Sequence, residues 1–168
     1  EMANFLGICY CELGDFQKGL VIFNEIASQD NPKYAEDVVK AKENIKLYTN
    51  NRIAKLQGEN DFDGIIAVAD EMLAVNPQDA LAQKIRLQAL FDKKDYAGVI
   101  ASAEEAAAGQ TDEEERSDVY FILGAAYNAR TMPQQAIDAL SKVTAGANVA
   151  AAQKTVAQLK ENAAKANS

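Results

Sequence analysis

The chain has 168 residues, of which 48% are apolar and 25% charged, enough to build a packed core and too ordered in composition for a disordered tail. With 17 Lys+Arg against 25 Asp+Glu, its net charge is −8, which argues against nucleic acid and anionic membranes as partners. Histidine is absent, which excludes histidine triads, histidine general bases and histidine-ligated zinc.

The elements follow in chain order. Residues 1–12 and 16–28 are predicted helices, the second capped by Asp15. Cys9 and Cys11 lie on the first. Two apart on a helix, they point to different faces and are too few to hold zinc, so they are read as free thiols. The chain enters this apolar helix directly from Glu1, as a trimmed or mature piece would. "SQDNPK" is a loop. Residues 33–59 form a long helical stretch, with a break expected near "YTNN". Residues 62–75 follow "ENDFDG", which nearly fits a calcium loop: Glu59, Asp61 and Asp63 alternate ahead of Gly64. The fit fails at its end, where Asp70 stands in place of a bidentate Glu. Asp61 is therefore read as a helix cap, with Ile65, Ile66 and Ala69 as the buried stripe behind it. Residues 79–92 follow "NPQD", and residues 96–108 follow Asp95. "GQTDEEER" is an exposed acidic turn leading into 117–130. Residues 133–144 start with Thr131 as the expected cap and Pro133 in the first turn. In the tail, Ala152, Val156, Leu159 and Ala163 share one helical stripe, which predicts a helix that covers the preceding pair.

Self-similarity organises these elements. Asp15-Phe16, Asp61-Phe62 and Asp95-Tyr96 each open an apolar helix, and Phe62 and Tyr96 are 34 residues apart. Phe16 to Phe62 spans 46 residues, an excess of about three helical turns. Leu6-Gly7 with Tyr10 is repeated as Leu123-Gly124 with Tyr127. In this pattern the glycines let paired helices approach closely and the tyrosines fill the space between them. These residues resemble the tetratricopeptide repeat (TPR) family, whose pattern is Leu-Gly-x2-Tyr, an aromatic, then Ala and Phe in a second helix, and Pro. Matches include Phe16, Phe23, Phe62, Pro77, Leu90, Tyr96, Tyr120, Ala136 and Leu140. In the second copy, Arg52-Ile53 replaces the Leu-Gly pair.

The resemblance implies an all-α, right-handed superhelical solenoid. It would form a single domain of about four helix pairs (repeats about 1–32, 33–77, 78–110 and 117–147) with a capping helix over 148–166. It implies a protein–protein interaction scaffold that binds a peptide or protein segment in a concave groove. The matching groove positions are Asn4, Ile8 and Cys11; Leu47, Asn50, Ala54 and Gln57; Lys84, Gln88 and Phe91; and Phe121, Ala125 and Asn128. Some of these equally suit packing between neighbouring helices. One subfamily grips a terminal carboxylate with a Lys/Asn/Arg clamp; its slots here hold Asn4, Ile8, Asn51, Leu81 and Ile85, and only Asn51 fits. The net charge favours a basic or neutral ligand, with Lys84 able to meet one carboxylate or phosphate.

No P-loop, dinucleotide turn, nucleophile elbow or zinc-protease helix occurs, so neither enzyme activity, cofactor nor metal is expected. No apolar run approaches the ~20 residues of a membrane span, so membrane insertion is not expected. No leader is visible, and cytoplasmic and periplasmic locations both stay open. The alternative function is a structural or assembly module. Phe5, Leu6 and Ile8 spread apolar character around the first helix, which fits either a homodimer through the N-terminal helices or further repeats ahead of them.

Overall fold

The computed structural model describes every residue, 1–168, and contains helices only. They are α1 (Met2–Glu12), α2 (Phe16–Ala27), a 3₁₀ turn (Pro32–Tyr34), α3 (Ala35–Gly58), α4 (Phe62–Val75), α5 (Ala80–Asp92), α6 (Tyr96–Gly109), α7 (Glu113–Ala129), α8 (Pro133–Leu140) and α9 (Val149–Ala166). No helix is long and apolar enough to cross a membrane.

Four helix–helix turns share one backbone design. The first helix of each pair ends on a residue in the left-handed region: Gly14 (φ 87°), Asn60 (φ 54°), Lys94 (φ 68°) and Thr131 (φ 58°). The next N–H reaches back five residues, from Asp15 to Tyr10 (2.9 Å), Asp61 to Leu56 (2.9 Å), Asp95 to Leu90 (2.8 Å) and Met132 to Tyr127 (2.9 Å). This 6→1 bond closes the first helix on its orphan carbonyls. In three turns the same residue then starts the second helix. The carboxylates of Asp15, Asp61 and Asp95 accept from the N–H groups of Lys18 (3.2 Å), Gly64 (2.8 Å) and Gly98 (2.9 Å). Each such cap satisfies an N–H group that the first turn of the helix leaves without a partner. Asp61 is thus the helix cap expected of it, and no group of three or more acidic or cysteine side chains could hold a metal ion.

The fourth turn differs from expectation. Thr131 is the left-handed residue, so it cannot cap; Met132 holds the cap position without a side-chain bond, and Pro133 brings no N–H to satisfy. Three boundaries also differ. The 24-residue α3 runs through "YTNN" unbroken, because Thr49 is fully buried there with its hydroxyl 3.8 Å from the Met72 sulfur. α7 begins at Glu113, four residues early, because Asp112 accepts from the N–H groups of Glu114 (2.8 Å) and Glu115 (3.1 Å). Three glutamates in its first turn then complement the helix dipole. α8 stops at Leu140, with buried Val143 already in the following turn.

The contacts divide the chain into two compact units, Glu1–Ala82 and Gln83–Ser168, with the division inside the first turn of α5. In the first unit, α1 pairs with α2, and α3 packs on α1, α2 and α4. Its core joins Phe16, Leu20, Val68, Met72 and Ala82, with Ile45, Tyr48, Ile53 and Leu56 at the edge. Arg52, which replaces the Leu of the repeat pattern, lays its guanidinium 4.2 Å from the Phe16 ring centroid and pairs with Glu71 at 2.9 Å. The long side chain covers apolar surface that a Leu would cover, and keeps its charge at the rim. Tyr48 donates to Glu12 (2.7 Å), a bond that pushes its pKa up to about 12.

In the second unit, α6, α7, α8 and α9 pack in succession. The buried Ser117 hydroxyl accepts from the N–H groups of Thr144 (3.1 Å) and Ala145 (3.2 Å), fixing the α8–α9 connection to α7. α9 covers α8 through Val149, Ala152 and Val156, which join Leu140 and Val143 in one cluster.

Candidate functional site

Residues that bind an extended chain need open side chains with unspent hydrogen-bonding capacity. The groove residues expected from the repeat pattern divide sharply on this test.

In the first unit, Leu47, Asn50 and Ala54 are exposed on one face of α3, opposite the face that buries Ala41 and Thr49. Their spacing of three and four residues makes one stripe about two turns long. Asn4 is not on an open surface. It is buried, its amide donating to the Asp37 carbonyl (3.0 Å) and its oxygen accepting from Asn44 (3.4 Å), so it fastens α1 to α3. Ile8 is half-buried beside it on the inner side of α1.

In the second unit, Lys84 is held by two carboxylates, Glu115 and Asp118, the latter at 2.8 Å. Burial works against its ammonium, but these hydrogen bonds outweigh it and keep the pKa above the usual lysine value. Asp118 also accepts from Asn148 (2.9 Å). Lys84 is therefore a link between α5 and α7, its charge already neutralised. Gln88 is exposed and donates to Asp92 (3.0 Å). Phe91 is half-buried, edge-on to Tyr96 with centroids 5.5 Å apart, and Phe121 packs against the α8–α9 cluster. Ala125 is half-buried.

Asn128 is the exception. It opens into a cleft of about 410 Å³ whose other wall is α9: Ala151, Lys154, Thr155, Gln158, Leu159 and Asn162. The carboxamides of Asn128, Gln158 and Asn162 are exposed and make no hydrogen bond within the chain. Each carries a donor pair and an acceptor, the set that matches peptide N–H and C=O groups. Lys154 is the one charged residue of the lining.

Only α9's apolar stripe was expected from the sequence. Thr155, Gln158 and Asn162 also recur at spacings of three and four on the flank of that helix next to the stripe, and this second periodicity is the signal that identifies the wall. No protein-family model matches the chain, and a search of the curated proteins found no match.

Proposed function

We propose that the chain is a TPR-like right-handed solenoid that acts as a non-enzymatic scaffold, binding an extended peptide segment of another protein. Support for the architecture comes from the four equivalent turns with their shared left-handed residue and five-residue return bond. The observation that carries the function is the cleft beside Asn128, where three unpartnered carboxamides line two facing helices. Amides of this kind bond a ligand's backbone regardless of its side chains, while Leu159 and Ala151 take apolar groups. The exposed Leu47–Asn50–Ala54 stripe has the same mixed chemistry in the first unit.

The ligand's charge is set locally. Lys154 lies in the cleft itself, whereas the net charge of −8 is spread over the chain and screened beyond ~8–10 Å at physiological salt. A neutral segment, or one carrying a single carboxylate, therefore fits the cleft better than the basic ligand that the total charge suggests.

A displayed library of unstructured peptides tests the reading. Selected peptides should lose roughly tenfold in affinity on Asn128→Ala or Gln158→Ala, about the effect of one or two buried hydrogen bonds, with no change in melting temperature. Peptides that bind both variants as tightly as the parent protein would remove the cleft from consideration. Phe91→Ala is a poorer probe, since it also removes the edge contact with Tyr96.

A further inference from the structure

The net charge of −8 is a sum of unlike parts. Residues 1–118 carry 23 acids and 12 bases, a net −11, whereas residues 119–168 carry two acids and five bases, a net +3. Ion pairing sharpens the difference. Of those two acids, Glu161 is held by Lys165 at 2.7 Å and Asp138 accepts from Gln134 at 3.2 Å. Of the five bases, Lys142 lies 3.7 Å from Glu104, while Arg130, Lys154 and Lys160 have no carboxylate partner. The acids of α7 stop at Asp118, ten residues before Asn128. That is about 15 Å along the helix, beyond the ~8–10 Å over which charges act at physiological salt. Lys154 therefore stands unpaired in the Asn128 cleft, with no carboxylate among the lining residues.

On the reading that this cleft holds an extended peptide, we infer that its ligand is an acidic segment, with one side-chain carboxylate on Lys154 and the neighbouring backbone bonded by Gln158 and Asn162. Charge selects the acid. A lysine ammonium offers three donors and no acceptor, so a carboxylate gains a charge-assisted bond there and a cation is repelled. Spacing selects the extended form. Lys154, Gln158 and Asn162 are four residues apart on α9, so they rise about 6 Å at each step. An extended chain advances about 6.4–6.8 Å for every two residues. Over the three side chains the mismatch grows to only about 1 Å, which the long Lys and Gln side chains absorb. Alternate ligand residues thus meet successive groups of α9, and the carboxylate precedes or follows the amide-bonded stretch at one fixed end.

Three libraries of seven-residue peptides, capped at both ends and randomised over uncharged residues, test this. They differ only at the central position, which is Glu, Gln or Lys. The whole chain, immobilised, should capture the Glu library about fivefold better than the Gln library and the Lys library least, with the differences shrinking as salt is raised. Lys154→Glu should reverse the order. Lys160→Glu makes the same charge change on the wall of a different cleft and should leave the order intact. Asn128→Ala should weaken capture of the Glu and Gln libraries alike. Both substituted lysines are exposed, so the helical circular dichroism should not change. Equal capture of the Glu and Gln libraries, both lost on Asn128→Ala, overturns the acidic ligand while the cleft stands. An order that Lys154→Glu leaves unchanged overturns it too, as does a Gln library with a free C-terminal carboxylate that outcompetes the capped Glu library. No capture of any library, or capture indifferent to Asn128→Ala, overturns the acidic ligand and the cleft together.

Discussion

α1 and α7 carry the same signature and meet opposite fates. Leu6 and Leu123 stand at the same place in the Leu-Gly-x2-Tyr pattern, yet Leu6 is 49% exposed and Leu123 only 3%. The following glycine is buried in both helices. A Cβ built on Gly7 falls 2.5 Å from the Phe23 ring, and one built on Gly124 falls 2.5 Å from the Leu140 side chain. The motif thus encodes two separable things. Its glycine faces the second helix of its own pair, so its role is fulfilled wherever the pair forms. Its leucine faces the previous pair. α7 has α6 there; α1 presents that side to solvent. A local pattern can therefore specify a helix crossing unaided, but it cannot bury a side chain whose partner lies in another repeat.

Leu123→Ala should give the largest effect that distinguishes the two helices, a loss of about 2–5 kcal/mol in urea unfolding, against under about 1 kcal/mol for Leu6→Ala. Equal losses would show that the outer side of α1 is covered in solution. Gly124→Leu follows, with about 3 kcal/mol lost from overpacking against Leu140. Gly7→Leu should cost less, because α1 can lift from Phe23 without displacing a helix behind it; if it costs more, α1 is clamped as firmly as α7. The smallest pair concerns the turns that follow. Gly14 and Thr131 both adopt positive φ, and a built Cβ on Gly14 meets nothing within 4 Å, so only backbone strain distinguishes them. Thr131→Gly should raise stability by about 1 kcal/mol and Gly14→Thr lower it by about 1–2 kcal/mol, read as opposite shifts in melting temperature. Shifts of the same sign would mean that the two turns are not equivalent.

Much of the helical frame was legible because its determinants are local. Asp15, Asp61 and Asp95 announce their helices, since a cap and its N–H partner lie three residues apart. Thr131 misled for an instructive reason: threonine is a good capping residue, and nothing in its own segment reveals that the preceding helix forces it into the left-handed region. "YTNN" reads as a break because neither asparagine favours helix, but burial of Thr49 against Met72, 23 residues away, overrides that preference. The groove positions fared unevenly for the same cause. A repeat pattern gives the register of Asn4 and Lys84, but it is silent on Asn44, Glu115 and Asp118, whose bonds turn them from ligand-facing groups into fastenings. Asn128 stayed open because its neighbours on α9 leave its amide unengaged.

The unbroken α3 has a consequence for how the first unit comes apart. Its first half is fastened to α1 through Asp37 and Asn44, and Tyr48 adds a bond to Glu12. Its second half is fastened to α4 through Thr49 and Arg52. Helical repeat arrays commonly unravel one pair at a time, each step with its own free energy. A single helix about 36 Å long that serves two pairs removes the boundary at which such a step would stop. Fraying at either end must either break α3 in its middle or strip both pairs together, so its amides should exchange with solvent in one cooperative event, and a protease should find the unit either intact or wholly open.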